Sequence, residues 1–170
     1  VTADSKVVAA SAKVTISDGN GTPLTATNLS DIGAKTSAQV TVTHAVTITA
    51  ATLADAKAAL TTADSLVVAA TANLTITAPI VNATAANITD FNAVVDKTTG
   101  VITASVTGIM DKLDDLDTGT TTTDLITVTV TDDVDTPLTA VQLSALGSQT
   151  GGTVTVTKAV AITGTQAAVT

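Results

Sequence analysis

Residues 39–49 read QVTVTHAVTIT, and residues 153–163 read TVTVTKAVAIT. In the first stretch Val40, Val42, Val46 and Ile48 fall on one face of an extended chain, with Thr41, Thr43, Thr47 and Thr49 on the other. A period of two built from β-branched residues predicts a strand. Val154, Val156, Val160 and Ile162 repeat it, as do Leu74 and Ile76 beside Thr75 and Thr77. Between these runs the period changes. Leu29/Ile32, Leu53/Ala56/Leu60, Ile88/Phe91/Val95, Ile109/Leu113/Leu116 and Leu143/Leu146 are spaced three or four apart, which predicts short helices. Thr25, Thr84 and Thr139 precede three of them as N-caps, and Gly33 and Gly147 stand where a helix would stop.

The pattern recurs at fixed offsets. Residues 14–49 lie on 128–163 without a gap, more than half of them identical, and 2–16 lie on 62–76 as TADSKVVAASAKVTI on TADSLVVAATANLTI. A one-residue shift of the second register brings TATNLSDI (25–32) onto TAANITDF (84–91). Two independent offsets indicate an array of units, none of which buries its own apolar face alone. The expected fold is therefore a repeat solenoid, β-rich with short helices. It would be a right-handed stack of parallel strands over residues 1–170, with about five to six rungs of roughly 22–34 residues. A tandem of small β-sandwiches is the alternative; it accounts for the strands but not for the helical spacing.

Composition narrows the function. The chain of 170 residues has a net charge of −8, a pI near 4.1, no Cys, no Arg and no Glu, and Phe91 is its only aromatic residue. Nucleic-acid binding needs Lys and Arg to displace counterions from phosphate, so no nucleic acid is expected as a partner. No apolar run reaches the roughly 20 residues of a membrane span, so no membrane insertion is expected. Lack of Cys removes disulfides and thiolate metal sites.

Little catalytic chemistry is legible. His44 is the only histidine, and Lys158 takes its place in the second copy, which makes the position a bend or solvent-facing kink. No G-x-S-x-G, HExxH, GxGxxG or P-loop occurs. No enzyme and no organic cofactor are expected. The Asp-rich turns are the candidate metal site: Asp18 and Asn20 in SDGNG (17–21), and Asp132, Asp133 and Asp135 in TDDVD (131–135), offer hard oxygens to Ca²⁺. A second Asp cluster, Asp111, Asp114, Asp115 and Asp117, lies in DKLDDLDTG. The competing account is turn chemistry, for which Asp, Asn and Gly are equally suited. Asn20, Asn28, Asn73, Asn82 and Asn87 each begin an N-x-Ser/Thr sequon, an acceptor for glycans in an extracellular setting. Stacked in register, Thr41/Thr43, Thr75/Thr77, Thr129/Thr131 and Thr155/Thr157 would make a flat array of hydroxyls and methyls, similar to the T-x-T faces of β-solenoid ice-binding proteins. Equally, Thr is simply a good solvent-side strand residue.

The phrases TAxxLxxLxxxTxGxVTVT and VTVTxAVxIT resemble the degenerate repeats of large secreted bacterial surface proteins, the surface-layer-like and adhesin-like "beta strand repeat" proteins. That resemblance implies an extracellular, non-catalytic structural role as cell coat, filament or adhesive stalk. Its partners would be other copies of the chain or neighbouring repeats of the same protein. The missing calcium nonapeptide is a departure from hemolysin-type calcium rolls. A binding or adhesion module that uses a repeated Thr-rich face for glycan, a partner cell or ice is the alternative. TADS near Val1 matches the middle of a unit, so the chain reads as a slice of a longer array or a subunit that joins end to end.

Overall fold

The computed structural model describes residues 10–62, 65–118 and 123–165. Eleven strands and five helices occur among them: β1 (Val14–Ile16), β2 (Pro23–Thr25), α1 (Ala26–Gly33), β3 (Val40–Val42), β4 (Thr47–Ala50), α2 (Leu53–Leu60), β5 (Val67–Val68), β6 (Asn73–Ile76), α3 (Ala85–Val95), β7 (Ile102–Gly108), α4 (Met110–Leu113), β8 (Leu125–Val130), β9 (Pro137–Thr139), α5 (Ala140–Ser148), β10 (Val154–Val156) and β11 (Ala161–Thr163). The two sequence periods therefore sort the chain correctly into strands and helices. Thr25, Thr84 and Thr139 cap α1, α3 and α5, each accepting a bond from the backbone N–H three residues on. Thr52 does the same for α2, and Asp55 returns the bond to close a capping box.

The expected solenoid does not form. The molecule is a mixed α/β domain with parallel sheets, and it is not closed into a solenoid. The largest sheet has six strands in the order β10-β8-β7-β6-β4-β2; the others are β1-β3-β5 and β11-β9. Every strand pair among the described residues is parallel, which also removes the β-sandwich alternative.

The physical reason lies in β7. Elsewhere a unit makes a short strand, a corner and a second short strand, as at β3–His44–β4, and sends the two to different sheets. β7 instead runs straight for seven residues. Its start pairs with β6 (Leu74↔Ile102), and its far half meets Ile80 at Val106. Strands that occupy equivalent places in the repeat thereby end in different sheets. β1 and β3 belong to the three-stranded sheet, whereas their counterparts β8 and β10 belong to the six-stranded one.

What persists is the register. Paired residues are 22 to 28 apart along the chain, from Thr103↔Leu125 to Leu74↔Ile102. The core lies under this sheet system. Val40, Val46, Ile48, Val106, Ile126, Val128 and Val130 are fully enclosed, and the helices add Leu29, Ile88, Phe91, Met110 and Leu113. Parallel strands that bury one face completely and leave Thr on the other give the alternation its meaning.

Gly33 has a different role from the one expected. It is the last residue of α1, followed by an ordinary right-handed cap at Ala34. A Cβ there would fall 1.9 Å from the Ser65 carbonyl oxygen, so glycine allows α1 to approach the next unit. Gly147 is likewise inside α5, which ends at Ser148 with its cap at Gln149.

Candidate functional site

The polar side chains are used chiefly to tie one unit to the next. Thr36, Thr98 and Thr150 share one geometry. Each hydroxyl donates to a carbonyl one unit back (Ala12, Ala72 and Ile126) and accepts the N–H two residues on (Ala38, Gly100 and Gly152). The following N–H groups, of Ser37, Thr99 and Gly151, donate to the carbonyls of Ala10, Ala70 and Asp124. Three equivalent opening pairs result: Val14↔Val40, Leu74↔Ile102 and Val128↔Val154. This threefold relation unites the two offsets seen in the sequence. The recurring signal is short, KTSA, KTTG and SQTGG, and the clamping role of its Thr is not legible without the fold.

Strand-ending threonines form a second tie. Thr43, Thr77 and Thr157 direct hydroxyls to the carbonyls of Ile16, Ala50 and Val130, at 3.2, 3.3 and 3.1 Å. These hydroxyls, expected in a solvent-facing array, are thus engaged with the preceding unit. Their neighbours do line up. Thr25, Thr49, Thr75 and Thr103 form one row across four strands, and Thr107, Thr129 and Thr155 form another. Only around β7 and β8 does a second column accompany the row, through Ser105↔Thr127.

The candidate calcium ligands lie in two equivalent connections, β1–β2 and β8–β9. Asp18 is exposed, and Asn20 accepts from the Ala45 N–H at 3.1 Å. Asp132 is buried with its carboxylate on the Met110 N–H at 2.7 Å. Exposed Asp133 is ion-paired with Lys158 at 2.7 Å, and the ammonium holds its carboxyl below the ordinary range, first through the hydrogen bond and then through charge. Asp135 sits at φ 63°, the left-handed conformation of a turn, and its N–H donates to Ala159. Among the described residues no three acidic or His side chains converge as a metal cage. In the other Asp cluster, Asp114 accepts from Gln142 at 3.0 Å, the Asp115 carbonyl accepts from Asn92 at 2.8 Å, and Asp111 pairs with Lys112. Asp111 holds the Lys112 ammonium above its ordinary pKa, through the hydrogen bond first and charge second.

Sequence reasoning overlooked Asp124. It is fully buried, and its carboxylate takes the Ile102 N–H at 2.7 Å. Asp124 and Asp132 therefore grip the start of β7 and the start of α4, each from 22 residues away.

His44 is an exposed bend between β3 and β4, with Nδ1 3.0 Å from the Thr43 hydroxyl. Two shallow depressions, of about 270 and 290 Å³, are lined by residues that include Leu60, Val67 and Lys97, and Asn82, Ile109 and Lys112. His44 and the Asp residues line neither of them. Of the sequon residues, Asn20, Asn28 and Asn82 are exposed. Asn73 is half-buried and accepts from the Val101 N–H, and Asn87 completes the capping box of α3. Among the described residues no helix is long and apolar enough to cross a membrane.

The two copies of the repeated phrase differ in burial. Ile48 is fully enclosed, while its counterpart Ile162 is 51% exposed. Val40 and Val46 are enclosed; Val154 and Val160 are half-buried. Comparison of the chain with protein-family models, curated proteins and solved structures gives no match.

Proposed function

We propose that this chain is a non-catalytic structural repeat protein of the cell exterior, part of a surface layer, filament or adhesive stalk, and that it assembles end to end. The observation that carries this reading is the open C-terminal unit. Its apolar positions repeat those buried in the first copy, yet β11 has a partner on one edge only among the described residues. Exposed strand edges beside apolar side chains are templates for further strands. Thr36, Thr98, Thr150, Asp124 and Asp132 are engaged in ties between units. The resemblance to secreted repeat proteins supports a position outside the cell with other copies as partners, and the acidic charge disfavours nucleic acid.

Electron microscopy of the purified chain at rising concentration tests the reading, with calcium and with a chelator. Filaments or sheets are expected. Discrete monomers at every concentration would sink it. Loss of order under chelation would assign the Asp18/Asn20 and Asp132/Asp133/Asp135 turns to calcium.

A second reading is a binding module for glycan, a partner cell or ice. The in-register threonines of β7, β8 and β10 favour it, since they give a regular lateral patch. Retention on polysaccharide or on growing ice, lost in Thr129→Lys, is the outcome it requires.

A further inference from the structure

The open C-terminal unit also specifies what covers it. Residues 14–49 and 128–163 are the same phrase, so β10, β11 and α5 are the counterparts of β3, β4 and α1. Within the chain α2 packs against α1, and the strand edges of that surface are covered by residues 65–76. Val67 pairs with Val40, and β6 lies along β4 as Thr47↔Asn73, Ile48↔Leu74, Thr49↔Thr75 and Ala50↔Ile76. The Asn73 N–H donates to the Val46 carbonyl at 2.8 Å, and Ser65 presses on Gly33. A closely similar sequence to that cover occurs at residues 5–16, identical at eight of twelve positions.

Structure supports the equivalence from the other side. β1 holds β3 through the Thr36 clamp as β6 holds β7 through the Thr98 clamp. The second edge of β6 is the one that covers β4. The corresponding edge of β1 has no partner among the described residues.

We infer that β1 of a second copy seats on β11 of the first in the register by which β6 seats on β4. This rests on the assembly reading above and deepens it by fixing the interface. Val14 of the second copy then stands opposite Ile162, Lys13 opposite Ala161, and Thr15 opposite Thr163. The contact is head-to-tail and leaves both outer ends free, so addition continues without closing.

Gly147 carries an independent trace of the same partner. Gly33 is required because Ser65 lies against it; a Cβ added at Gly147 would meet no other unit within 4 Å. A glycine inside a helix weakens it. Its presence in α5 is explained by the close approach of a second copy, which the isolated chain does not display.

The chain has no cysteine, so a disulfide reports the register directly. Chains carrying Ala161→Cys and chains carrying Lys13→Cys are mixed and oxidised. Neighbouring parallel strands lie about 4.8 Å apart, within the span a disulfide bridges. The mixed dimer is expected at least tenfold faster than either homodimer, and tenfold faster than Ala161→Cys with the out-of-register Thr15→Cys. Gly147→Ala is the second variant. It is expected to raise the melting temperature of the monomer while weakening assembly at least tenfold, a combination that a purely structural role of Gly147 does not produce.

Particles by microscopy without a favoured 161–13 cross-link would overturn the register and leave the assembly reading standing. Monomers throughout would overturn both. A dominant 161–161 cross-link would mean a twofold contact between like ends and would also overturn the inference.

Discussion

Residues 14–49 and 128–163 present one phrase in two surroundings. In the first, Ile48 is enclosed beside Leu74 and Gly33 lies against Ser65; in the second, Ile162 is half in solvent and a Cβ at Gly147 would meet open space. Local structure is nearly the same in both. A capped helix of eight or nine residues separates two short strands, and a bend at His44 or Lys158 separates the next two. Local sequence therefore determines the element, and the neighbouring unit determines burial. Burial is where most of the free energy resides, at about 25 cal/mol per Å² of apolar surface removed from water.

Paired substitutions break this comparison most sharply. Ile48→Ala removes enclosed methyl groups and is expected to cost about 2–5 kcal/mol, whereas Ile162→Ala in the monomer is expected to cost well under 1 kcal/mol, as exposed positions do. Gly33→Ala drives a Cβ into a backbone carbonyl and is expected to lose about 1–3 kcal/mol or more, while Gly147→Ala gains about 0.4–1 kcal/mol from reduced freedom of the unfolded chain. Denaturant melts of the four variants check both pairs. Equal losses at both sites would mean that the second unit is as well covered as the first.

Next come the clamps. Thr36→Val and Thr150→Val each leave a carbonyl and an N–H to find new partners, for an expected loss of about 1–3 kcal/mol apiece. Asp132→Ala strips the buried Met110 N–H of its acceptor and falls in the same range. Hydrogen exchange at Ala38, Gly152 and Met110 locates each loss. The helix caps are smaller: Thr25→Ala and Thr139→Ala are each expected to cost about 1 kcal/mol.

The smallest effect belongs to the exposed Asp133–Lys158 pair. Its folded-state carboxyl pKa lies below the unfolded one, so its contribution is present above the unfolded pKa and is lost as pH falls through the folded value. Asp133→Asn should flatten that acid limb slightly, an effect that salt reduces in the parent. The first unit has Gly19 and His44 at the positions of Asp133 and Lys158, so it should show no counterpart.

Much of this was legible in the sequence. The period-two and period-three-to-four runs gave the strands and helices, and Thr25, Thr84 and Thr139 gave the helix starts. The bend at His44 followed from its exchange for Lys158. The global arrangement was not legible, because the decision at β7 is a local one. ITASVTG continues straight where VTVTHAVTIT turns, and a run of alternating residues does not record which sheet receives it. Asp132 reads as a turn residue or calcium ligand until its carboxylate is seen on a backbone amide of the neighbouring unit. Thr36 reads as a loop residue for the same reason. Ties across about 25 residues leave little trace in local spacing.

The uniform spacing of the strand pairs has a mechanical consequence. Each strand pair between units joins residues 22 to 28 apart, and among the described residues no strand pair joins segments farther apart in the chain. Tension applied between residues 10 and 165 would peel units from an end one after another rather than shear the whole sheet together. Each release frees one unit of chain, roughly 75–100 Å when drawn straight. A force–extension trace would be a staircase of near-equal steps, each dissipating energy while the remaining units hold the load: a molecular shock absorber.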